Sequence, residues 1–148
     1  MNRTSTVSLA TAYAVLEGDK PSEIPWIVWL FENPDSPLAL GGSISLRNHD
    51  YMHILLERGF SPEDEAFVLG VTMGNDSRTT WFDYLIFKCV AHFLYPGVYR
   101  FTAEHLSIFD TGVALGKSLA VRDLNRYDFT RIEMISVRTL QTIFGIDG

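Results

Sequence analysis

The chain has 148 residues, 47% of them apolar and 13% aromatic, which is enough for one domain to bury well over half of the surface its unfolded form exposes and argues against disorder. Its formal charge is −6 with only 12 Lys+Arg, so the attraction that dominates binding to phosphate backbones has the wrong sign, and nucleic acid is excluded as a partner.

The N-terminal residues Met1 to Ser5 lack the basic start, apolar run and small-residue cleavage site of a secretory signal. A first helix is predicted from about Thr6 to Glu17, ended by Gly18, and a shorter apolar piece from about Ile24 to Phe31 closes at Asn33-Pro34. Trp26 and Trp29 on that piece suit either a membrane interface or packing against the first helix. Asp35 to Arg47 is expected as a connection, with Gly41-Gly42 and a brief apolar alternation at Ile44 and Leu46. Asn48 is a good N-cap for a helix over His49 to Arg58, with Gly59 as its stop. Ser61-Pro62-Glu63-Asp64 then restarts a helix with a hydroxyl cap, a first-turn proline and acidic residues at the positive end of the dipole. It should run to about Met73 and fold back as a hairpin on the preceding helix.

A third helix of this group is predicted from Ser77 or Arg78 to Leu94. It is apolar around nearly its whole circumference, so it is expected at the centre of the fold, as core or as the lining of an isoprenoid tunnel. Within it, Cys89 is expected to be a buried small hydrophobe and His92 a hydrogen-bonded core histidine. This stretch and Pro25 to Phe31 are too short, or too interrupted by Asp83, Lys88 and His92, to span a bilayer that needs roughly 20 apolar residues. The expected location is cytoplasmic or peripheral to a membrane, without signal peptide or transmembrane helix. Thr102 caps a further helix to about Ala120, in which Gly112 and Gly116 permit close approach of another helix or a ligand, and His105 is expected on the solvated surface. A short helix from Ser136 to Phe144 ends at Gly145. The expected fold is all-α, a single compact multi-helix domain over residues 1–148.

One constellation carries chemistry. At about 100° per helical residue, His49 lies at 0°, His53 at about 40° and Asp50 at about 100°, so three ligand-type side chains occupy one sector of one turn. Two imidazoles four residues apart with a carboxylate match the way helices present zinc ligands, a further ligand arriving from elsewhere. Glu65, in the first turn of the second hairpin helix, comes level with about Leu55. The expected metal site is therefore His49, Asp50, His53 and Glu65, with Asp50 either a ligand or the residue that orients a histidine through its other ring nitrogen. Zinc is the preferred ion, while iron and manganese also suit such a donor set.

The run His49-Asp50-Tyr51-Met52-His53, followed by eleven residues and Glu65, resembles the HDxxH-x11-E signature of the coenzyme Q (ubiquinone) biosynthesis protein 4 family. The resemblance extends to Asp128-Phe129 and to Val137-Arg138-Thr139-Leu140 through Phe144-Gly145-Ile146, and makes this chain a short member. It implies a helical fold, a divalent metal at the four motif residues, peripheral membrane association and action on a prenylated quinone precursor, with oxidative decarboxylation of the ring as the family's reaction. Two other accounts stay open. One is a non-catalytic scaffold that holds a prenylated quinone precursor or another isoprenoid lipid, with a structural metal. The other is a metal-dependent hydrolase. A homodimer is compatible with all three.

Overall fold

The computed structural model describes residues 6–16, 39–97 and 100–146. The apolar piece predicted over Ile24 to Phe31, with Trp26 and Trp29, lies outside them, as do Glu17 and Gly18. The described residues form six α-helices and no strand: α1 (Leu9–Ala14), α2 (Leu46–Leu55), α3 (Pro62–Asn75), α4 (Trp81–Phe93), α5 (Ala103–Ser118) and α6 (Val137–Phe144), with short 3-10 turns at Leu124–Arg126 and Phe129–Arg131.

Each helix starts on a hydroxyl. Ser8, Ser45, Ser61, Thr80, Thr102 and Ser136 accept from the backbone N–H three residues on, satisfying one of the donors that a helix start leaves unpaired. Ser45, not Asn48, is therefore the cap of α2. The Asn48 amide instead donates to the carbonyls of Asn125 and Tyr127 at 3.2 and 3.0 Å, fastening α2 to the later loop. The stop of α2 also differs from the expectation at Gly59. Glu57 adopts a left-handed conformation with φ 51°, and the N–H groups of Glu57 and Arg58 close on the carbonyls of Ile54 and His53 at 3.1 and 2.9 Å. That pair of bonds is the usual C-terminal clasp of a helix, made here without glycine. Gly145, with φ 78°, does the same for α6 as expected.

The helix at the centre is α3, not α4. Ten successive residues, Ala66 to Asn75, are buried. One apolar cluster gathers α1, α2, α6 and the 3-10 turns around Phe67, Val68 and Val71 of α3. A second gathers α4 and α5 around Ala66, Leu69 and Met73. In α4 only Phe87, Val90 and Ala91 are buried, and Cys89, expected inside, is exposed. The small residues of α3 explain the exchange of places, because a helix bearing Ala, Gly and Thr lets neighbours approach on every side.

The closest approach is between α3 and α5. A Cβ added at Gly70 would overlap the carbonyl of Phe109, one at Gly74 the carbonyl of Val113, one at Gly112 the carbonyl of Phe67 and one at Gly116 the carbonyl of Val71. The paired positions rise together along both helices, so the two run parallel with their backbones in contact. Gly112 and Gly116 were expected to admit a helix or a ligand, and the occupant is α3. The start of α1 is tied to the turn before α6 by Leu9 N–H to Ile135 O, Ala10 N–H to Glu133 O and Val137 N–H to Val7 O, at 2.8 to 3.0 Å.

Candidate metal centre

α2 presents His49 and His53 four residues apart, and the Glu57 clasp holds the carbonyl of His53 in place. After the connection from Leu56 to Ser61, α3 begins at Pro62 and carries Glu65 in its first turn. The Glu65 carboxylate reaches back across the connection, with one oxygen 3.2 Å from His49 Nε2 and the other 3.3 Å from His53 Nε2. The two Nε2 atoms are 3.3 Å apart, and their rings meet edge to face with centroids 4.5 Å apart. The His53 side chain is fully buried, Glu65 is about a quarter exposed, and His49 sits between the two in exposure. The site thus has a closed floor and an open rim.

Burial alone would raise the carboxyl of Glu65, but hydrogen bonds and charge from His49 and His53 outweigh it and bring its pKa down to about 2. The group is an anion across the physiological range. The separations among the facing atoms of these three residues carry their own information. A tetrahedral ion with bonds of about 2.0 to 2.1 Å has ligand atoms about 3.3 Å apart; the two ring nitrogens are separated by 3.3 Å, and each lies 3.2 or 3.3 Å from a different oxygen of Glu65, so the carboxylate faces the pair with both its oxygens. Each neutral ring carries one N–H and one lone pair, so at this distance one Nε2 can donate to the other, or, with both protons on Nδ1, the two lone pairs can meet a shared cation. Among the described residues these three form the one His/Cys/Asp/Glu group able to hold a metal ion.

Asp50 lies on the same helix and is buried, but it is not one of the three converging groups. Sequence spacing missed Phe60, whose ring packs on His53 at 4.6 Å between centroids, because it sits in the connection where no periodicity marks it. His53 Nδ1 is buried without a hydrogen-bond partner among the described residues. The other two histidines serve structure. His92 Nδ1 bonds the Phe101 carbonyl at 2.8 Å, as expected of a hydrogen-bonded core histidine, although the ring is only partly buried. His105, expected on the surface, is nearly buried. Its Nδ1 accepts from Thr102 N–H at 3.1 Å to complete a capping box, and its Nε2 lies 3.5 Å from Glu63.

Comparison with known proteins finds no matching family model, no matching curated protein and no matching solved structure.

Proposed function

We propose that the protein binds one divalent metal ion, zinc by preference, through His49, His53 and Glu65, and that it acts on or holds a prenylated quinone precursor. The observation that carries the metal is the convergence of His49, His53 and Glu65, whose ligand atoms all lie within 4.8 Å of one another, two imidazoles and a carboxylate being a donor set zinc takes. The substrate class and the ubiquinone-biosynthesis reading rest on the resemblance of His49-Asp50-Tyr51-Met52-His53 and Glu65 to that family's signature.

Three protein ligands leave a fourth position, from which a bound metal can polarise a substrate carboxylate or activate water. The chain's own groups define the approach to it. Glu65 supplies the negative charge that offsets the ion, fully buried His53 forms the floor, and His49, Glu65 and the exposed Phe60 border the side from which a ligand enters. Asp50, buried on the next position of α2, is proposed to orient the His49 imidazole rather than to ligate.

Elemental analysis of the purified protein tests this reading. About one equivalent of zinc, iron or manganese is expected, falling to a trace in His53→Ala and in the rim variant His49→Ala, with circular dichroism confirming that each folds. Equally negligible metal in all three proteins would overturn the site. Turnover of a carboxylated prenylated quinone precursor by the metal-loaded protein, lost in His49→Ala, supports an enzyme. A co-purifying prenyl lipid without turnover supports the scaffold.

A further inference from the structure

A metal-bound histidine ordinarily donates its second ring N–H to a carboxylate, a carbonyl or water, and that bond fixes how the ring is turned. His53 has no such bond. Its side chain is fully buried, and Nδ1 is without a hydrogen-bond partner among the described residues. The ring instead touches two others. His49 meets it edge to face at 4.5 Å between centroids, and Phe60 lies against it at 4.6 Å with the planes tilted by 39°.

We propose that Phe60 is the positioning residue for His53: its ring, in place of a hydrogen bond to Nδ1, keeps the imidazole turned with Nε2 toward the metal position. This rests on the reading of His49, His53 and Glu65 as metal ligands. The start of α3 explains why Phe60 is there. Ser61 caps that helix, so Phe60 occupies the position before the cap, from which an apolar side chain ordinarily packs on the fourth residue of the helix. In α3 that fourth residue is Glu65, whose carboxylate faces His53 Nε2 at 3.3 Å. With a carboxylate where the usual apolar partner would be, the ring of Phe60 rests on the imidazole that Glu65 faces.

The contact matters because of how an imidazole turns. Its Cβ–Cγ torsion is broad and two-fold, and a half turn puts the ring carbon Cε1 where Nε2 stood, which removes one ligand from the ion. A hydrogen bond to Nδ1 would oppose that turn. In its absence the opposition comes from packing, and an aromatic ring at this distance supplies both area and a preferred relative orientation. Exposure separates this role from support of the core. Phe60 is 40% exposed, so it adds far less to the interior than a buried phenylalanine does, and the ring it covers is that of a ligand.

Cobalt(II) titration of the full chain after metal removal reads the outcome. The visible ligand-field bands report the geometry around the ion, and competition with a chromophoric chelator reports affinity. Phe60→Ala is expected to bind cobalt about 10-fold more weakly than the wild type, as loss of an orienting neighbour does, and with altered bands. Phe60→Tyr, which keeps the ring, is expected to restore both. A role confined to the helix start would move the unfolding midpoint of the metal-free protein and leave the bands alone. If Phe60→Ala loses helicity, Phe60→Leu, which keeps apolar bulk without the ring, carries the same test. Wild-type affinity and bands in the variant without the ring overturn the proposal and leave the metal site standing. Phe60→Tyr no better than Phe60→Ala overturns it too, because the ring is then not what orients His53. A wild type that takes up no cobalt overturns it together with the metal reading on which it rests.

Discussion

Asp76 is a residue on which separate parts of the chain converge. It is 4% exposed and accepts from Gly42 N–H at 2.6 Å, Arg78 N–H at 2.9 Å, Asn125 Nδ2 at 3.2 Å and Arg126 Nη1 at 2.7 Å. Beside it, fully buried Asn75 donates to the carbonyls of Gly116 and Val121 and accepts from Leu124 N–H. Asp76→Ala leaves the Gly42 and Arg78 N–H groups without their acceptor and takes one partner each from Arg126, which keeps Asp123, and Asn125, which keeps the Ser43 carbonyl, at a cost of about 3 kcal/mol. Urea denaturation should show this as a lowered midpoint with an unchanged slope. Nothing local in the sequence marks Asp76, because Gly42, Asn125 and Arg126 lie 34 to 50 residues away. His49, His53 and Glu65 were legible for the opposite reason: two sit one turn apart on a helix, and the third follows a short connection whose capping residues are plain. Asp50 was not separable from them by spacing, since a one-residue step along a helix turns a side chain by about 100°, which can take it off the ligand triangle.

Among the elements, the pairing of α3 with α5 depends on what is missing from it. With backbone against backbone at Gly70, Gly74, Gly112 and Gly116, a single methyl group forces the helices apart. Gly112→Ala is expected to cost about 2 kcal/mol, the strain of overpacking exceeding the gain of about 1 kcal/mol in helix propensity. Thermal unfolding by circular dichroism checks it, and an unchanged or raised midpoint would contradict the packing. Half of this contact could be read from Gly112 and Gly116. The matching Gly70 and Gly74 have the same spacing, yet they lie in a helix whose modest hydropathy gave no reason to place it inside. The converse error concerned α4, where abundant Trp, Phe and Leu suggested the centre. Burial follows how closely neighbours can approach as well as how apolar a side chain is, and α3 has the smaller side chains. The starts of α3 and α6 were legible because Ser-Pro-Glu-Asp and Ser136 are strong local signals. The start of α2 was misplaced by three residues because Ser45 and Asn48 are both good caps, and only the long-range bonds from Asn48 to Asn125 and Tyr127 distinguish them.

In the molecule as a whole, α3 is shared between both apolar clusters. Its first turn supplies Glu65 to the candidate metal centre, and its end is held by Asn75 and Asp76 against the loop from Val121 to Arg126. The all-α class was legible from helical periodicity and caps, and none of the helices among the described residues is long and apolar enough to cross a membrane. The arrangement around α3 was not legible, because it is written in contacts between segments far apart in the chain. Its consequence lies in how the protein opens. The amides from Ala66 to Asn75 cannot meet solvent unless both clusters come apart, so their exchange with heavy water should be the slowest in the chain and should share one opening free energy, that of global unfolding. Amides near the ends of α4 and in α1 should exchange sooner, through local fraying. An exchange map in which the α3 amides split into fast and slow groups would mean that the two clusters separate independently. A uniform, slow block from 66 to 75 would mean that the clusters melt together.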